Sequence, residues 1–114
     1  METKFNFKSS ICTSREQSGR LLALGLKKET ADMVWLNHAL TEDYDDWRSE
    51  PIYKDWEGWQ KDGIPAWSLH RLLAMLTAKR KVMLIRFEAD LYDVLIDKIE
   101  HEIKEGCFNK EYLV

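Results

Sequence analysis

At 114 residues, with 45% hydrophobic and 32% charged residues, the chain has the composition of one folded domain and not of a disordered segment. Its 17 basic and 20 acidic residues give a formal net charge of −3, which argues against direct contact with nucleic acid, because phosphate-binding faces are basic. No apolar run reaches membrane-spanning length and "METKFNFKSS" lacks the apolar stretch of a signal peptide, so a cytoplasmic protein with free Cys12 and Cys107 is expected.

The first predicted element is a helix from about Arg15 to Leu24. Ser14 and Gln17 fit a capping box, and Gly25 suits the left-handed residue that ends a helix. In "ETADMVWLNHAL", Met33, Leu36 and Leu40 fit a helical face, while Met33–Leu36 also reads as a short buried strand. The strand, after a turn at Glu29–Asp32, is the reading adopted. From about Thr41 to Gly63 the pattern is least regular, with the acidic run "EDYDD" followed by Pro51, Gly58 and Gly63. A stretch that long either conceals a strand or short helix or is a functional excursion.

Pro65 suits the first turn of a second helix from about Ala66 to Leu76, whose Leu69, Leu72, Leu73 and Leu76 share a face. Lys79-Arg80-Lys81 is a short basic cluster that reads as a solvated loop. "KVMLIRF" (Lys81–Phe87) is apolar on both alternating faces, as an inner strand would be. Asp90 caps a last helix with Leu91, Leu95, Ile99 and Ile103 at four-residue intervals, widened by Tyr92 and Ile96 and stopped by Gly106. The apolar tail from Cys107 to Val114 should dock onto the body. The expectation is an α+β fold, three helices packed with a small β-sheet, in a single domain over residues 1–114.

Three segments, "QSGRLLALGLKKETADMVW", "IPAWSLHRLLAML" and "FEADLYDVLIDKIEHEIKEGCFNKEYL", resemble a family of short uncharacterised proteins abundant in gut Bacteroidetes genomes, often near phage-like or conjugative elements. The family has no established activity, so the resemblance implies no catalytic residue. It implies an accessory or interaction role near mobile elements. The chain departs from the family in carrying Thr77 where a Pro often follows "LLAML".

Catalytic and metal signatures are thin. His38, His70 and His101 stand apart, with no H-x-x-x-H or C-x-x-C spacing, and no cofactor motif is present. Asp97 and His101 lie one helical turn apart, the spacing of a surface pair. Cys12, just before the Ser14 cap, is the candidate reactive thiol, against the plainer reading of a half-buried structural cysteine. Glu42-Asp43 and Asp45-Asp46 lack the spacing of a calcium loop.

Tryptophan is the informative residue. Trp35 and Trp67 border regular elements and read as core anchors. Trp47, Tyr53, Trp56 and Trp59 lie among charged and Gly neighbours and form the candidate partner or ligand surface. The expected function is a non-catalytic cytoplasmic interaction or accessory protein, meeting a protein partner or self-associating through the Trp-rich segment or the tail. The alternative is a small-ligand-binding protein or enzyme with a Trp- and acid-lined pocket in the 44–67 segment. A third reading is a regulator of a nucleic-acid-binding partner.

Overall fold

Two of the predicted helices form where their local signals place them. In the computed structural model, which describes residues 10–52, 62–76 and 90–114, α1 runs Arg15–Ala23. Both halves of its capping box are made: Ser14 Oγ accepts from the Gln17 N–H at 3.1 Å, and Gln17 Oε1 accepts from the Ser14 N–H at 2.9 Å. Such a cap contributes about 1 kcal/mol. Leu24 closes the helix, and Gly25 takes φ 103, which a side chain would strain. Leu26 then turns inward and pairs with Leu113 in an isolated bridge, and the Val114 N–H donates to the Gly25 carbonyl at 2.7 Å. The tail therefore docks, with Phe108 buried and edge-on to Tyr112 at 5.7 Å.

The last helix runs Leu91–Glu105, capped by Asp90, whose Oδ1 accepts from the Tyr92 N–H at 2.9 Å. Its buried face is Tyr92, Leu95, Ile96 and Ile99, while Leu91 is 38% exposed and Ile103 half-buried. A strict four-residue repeat drifts about 40° per step on a helix of 3.6 residues per turn, so its two ends fall on opposite rims of the buried face.

Among the described residues the sheet has three antiparallel strands in the order β2–β1–β3: β1 Met33–Asn37, β2 Trp47–Pro51 and β3 Ile64–Ala66. Trp35 lies between Ser49 of β2 and Ile64 of β3. The irregular 41–63 stretch thus conceals a strand. The second helix starts later than expected: α2 is Leu69–Met75, capped by Ser68, whose Oγ accepts from the Arg71 N–H at 3.1 Å. Pro65 belongs to β3, because the pairing of Val34 with Pro65 outweighs the helix-start preference of proline. The last helix is α3 in this numbering. The Lys81–Phe87 strand and the Lys79-Arg80-Lys81 cluster fall outside the described residues.

With three helices and an antiparallel sheet whose first two strands form a hairpin, the described residues make an α+β fold. Trp67 is fully buried in the larger core, in one cluster with Leu21, Leu72, Leu95 and Ile99. Burying each such aliphatic side chain contributes roughly 1.5–3 kcal/mol. A smaller cluster of Cys12, Met33 and Ala66, flanked by Trp35, lies on the sheet. Arg20 of α1 joins the outer side of α3 through Asp97 and Glu100. Among the described residues no helix is long and apolar enough to cross a membrane.

Candidate interaction surface

The site is defined by how the two edges of the sheet end. The His38 N–H donates to the Asp46 carbonyl at 2.8 Å, and the Ile52 N–H to the Asp32 carbonyl at 3.1 Å. In an antiparallel ladder, hydrogen-bonded pairs alternate with non-bonded ones. The even-numbered residues of β1 and β2 therefore bond to each other. The backbone groups of the odd-numbered residues of β1 turn to β3, so those of Ile64 and Ala66 point to β1 while those of Pro65 and Trp67 point away from it.

That outer edge of β3 is closed. Pro65 carries no N–H to offer. The Trp67 carbonyl accepts from the Thr13 N–H at 2.9 Å, and the Trp67 N–H donates to Thr13 Oγ1 at 3.1 Å. Thr13 is itself fully buried, its hydroxyl 2.8 Å from that of Ser18 and its carbonyl accepting from Trp35 Nε1 at 2.8 Å. The Trp67 indole donates to Thr30 Oγ1 at 2.9 Å. Asp32 accepts from both the N–H and the hydroxyl of Ser68, which ties the start of β1 to the cap of α2.

The outer edge of β2 ends differently. The backbone groups of Trp47, Ser49 and Pro51 point away from β1 and have no backbone partner among the described residues. The side chains of these three share one sheet face with Trp35, while Arg48 and Glu50 stand on the other. The Arg15 guanidinium carbon sits 4.6 Å from the centroid of the Trp47 ring, and Trp47 Nε1 is buried with no hydrogen-bond partner among the described residues. Arg48 grips Asp46 through two contacts of 3.2 and 2.8 Å, which raise its pKa, and His38 Nε2 lies 2.9 Å from Glu50 Oε1.

The loop leading into β2 is held by Asn37. Its Oδ1 accepts from the N–H groups of Ala39 and Asp46, and its Nδ2 donates to Asp45 Oδ1 at 3.2 Å. The Leu40 N–H donates to Tyr44 Oη at 3.2 Å. On this bonded loop Leu40 is 90% and Tyr44 49% exposed, beside the exposed Glu42, Asp43 and Asp45.

Of the aromatic residues singled out in the sequence, Trp47 is at this edge. Tyr53, Trp56 and Trp59 fall outside the described residues. Trp67 is a core anchor, and Trp35 a half-buried one. Cys12 is 2% exposed, and burial raises its thiol pKa, with Ser49 hydrogen bonding opposing and the Asp32 carboxylate adding to the rise. That favours the neutral thiol of a structural cysteine over a reactive thiolate. Both cysteines are free, with Cys107 exposed. The Asp97–His101 pair does not form: Asp97 is taken by Arg20, and His101 Nε2 lies 2.9 Å from Glu105 Oε1. No group of three metal-ligating side chains occurs among the described residues.

Sequence reading missed Arg48, Ser49 and Pro51. Their signal was the alternation in "WRSEP", which lacks the apolar face that normally marks a strand. Comparison with protein-family models, with curated proteins and with solved structures finds no match to the chain.

Proposed function

We propose that the chain is a non-catalytic interaction or accessory protein of the cytoplasm, engaging a protein partner through the β1–β2 hairpin. The observation that carries this reading is the edge of β2, unpaired among the described residues, beside an anchored loop that holds Leu40 and Tyr44 in solvent. An unpaired strand edge is a template for another chain, and exposed apolar residues on an ordered loop add contact area at low entropic cost. The resemblance of three segments to small proteins encoded near mobile elements fits an accessory role.

A photo-crosslinking side chain at position 40, in the full chain inside cells, tests the reading, with position 111 as the control. A discrete protein adduct at 40, absent at 111, is expected. Equal or absent adducts at both would remove the hairpin as a partner surface. The Trp-lined ligand pocket would then be the reading to pursue, by quenching of Trp emission with small ligands.

A further inference from the structure

We infer that a second copy of this chain is the partner of the β2 edge, pairing antiparallel with β2 about a two-fold axis at Ser49. The inference rests on the reading of the hairpin as an interaction surface and names its occupant. The sequence of β2 is complementary to itself in this arrangement. With Ser49 opposite its own counterpart, Arg48 stands opposite Glu50 of the second copy, and Glu50 opposite Arg48. Directly opposed residues of an antiparallel pair share a face, so each arginine meets a glutamate at cross-strand distance. Trp47 stands opposite Pro51 of the second copy, placing a half-buried ring against an apolar pyrrolidine.

The backbone agrees. The groups that point outward belong to Trp47, Ser49 and Pro51, and these are the residues that meet in this register. The Ser49 N–H reaches the Ser49 carbonyl of the second copy, and the Trp47 N–H reaches the Pro51 carbonyl, each bond made twice by symmetry. Pro51 is the one position that offers no donor.

Charge selects the register. A shift by two residues in one direction places Arg48 opposite Arg48. A shift in the other direction places Glu50 opposite Glu50. Both set like charges together. The alternating charges that would blunt the edge towards other strands therefore favour this one pairing. Arg48 and Glu50 already hold Asp46 and His38, so pairing extends each contact into a four-residue chain across the axis. The edge of β3 offers no such surface, because Pro65 and Thr13 close it.

The test is the mass of the full chain by sedimentation and light scattering, followed up to about 1 mM. The wild type should pass from 13.5 kDa towards twice that mass as concentration rises. Arg48→Glu and Glu50→Arg should each weaken self-association by roughly tenfold or more, since each sets like charges in both pairs. Mixing the two single variants should restore association. One variant is then acidic at both positions 48 and 50 and the other basic at both, so every cross-strand pair is again of opposite charge. The mixture changes nothing within either monomer, and thermal melts of each variant confirm that it folds. A wild type that stays monomeric throughout would overturn the inference. So would a dimer that the single variants do not weaken, or one that the mixture does not restore. A monomeric wild type that still gives crosslinked adducts from position 40 would point to a different protein on the hairpin, which sinks the second copy and leaves the wider reading standing.

Discussion

The two edges of the sheet are built from short strands and finish in opposite ways. The β3 edge is closed by a residue 54 positions away in the chain, Thr13, together with a proline that has no donor to expose. The β2 edge leaves its outward backbone groups without a backbone partner among the described residues, next to Trp47 and an anchored, exposed loop. Strand edges are costly to leave open in a monomer because they invite association. The β3 edge is sealed from within and so belongs to folding, while the β2 edge, unpaired among the described residues, is the one proposed for association.

The sharpest way to break this comparison is at the sealed edge. Trp67→Ala removes a fully buried ring from the larger core and should lower stability by about 3–5 kcal/mol in denaturant titration. Thr13→Val is subtler. It keeps the shape and leaves the Trp67 N–H and the Ser18 hydroxyl without their partner, so a loss of about 1–3 kcal/mol is expected. A silent Thr13→Val would mean that the Thr13 hydroxyl adds nothing to the seal, which would then rest on the backbone bond from the Thr13 N–H to the Trp67 carbonyl. At the open edge the balance reverses. Trp47→Ala should cost the monomer no more than about 1 kcal/mol, the scale of its stacking with Arg15, and should weaken association about tenfold. A large stability loss with unchanged mass would make Trp47 a core residue and its edge structural.

A smaller effect sharpens the face between the edges. Burial raises the pKa of the Cys12 thiol and of the Tyr92 phenol, whose hydroxyl donates to the Ser10 carbonyl at 2.6 Å. Both folded values lie above the ordinary ones of 9.0 and 10.0, so the folded state holds protons that the unfolded chain releases. Their stabilisation is complete below the ordinary values and is lost as pH rises through the folded ones. Stability measured by denaturant should therefore decline from near pH 9 upward, and Cys12→Ala should remove the first part of that decline. A flat profile would show that the thiol is not held in a desolvated site.

The elements legible in the sequence were those with local signals. The capping box of Ser14 and Gln17, the Asp90 cap, the apolar face of α3 and the stops at Gly25 and Gly106 all act within a few residues. Pro65 was ambiguous because a helix start and an outer strand position both tolerate a missing N–H. The pairing with Val34 decided it, and that contact is not written in the neighbouring residues. β2 was hidden for a related reason. Its side chains alternate without an apolar face, and its place depends on the backbone ladder to β1. Trp47 was recognisable as a candidate because its neighbours are charged. The role proposed for Ser49 and Pro51 follows from strand order and bonding parity, which appear only once the sheet is assembled.

Backbone amide exchange at Ser49 and Trp67, followed by NMR at low and high protein concentration, tests the central claim most directly. Exchange reports whether an N–H is bonded, residue by residue. The Trp67 amide, held by Thr13, should be protected equally at both concentrations. The Ser49 amide should exchange rapidly in dilute solution and become protected when the chain is concentrated. A Ser49 amide that exchanges at the same rate at both concentrations, while the measured mass rises, would place the contact elsewhere and contradict the assignment of β2 as the working edge.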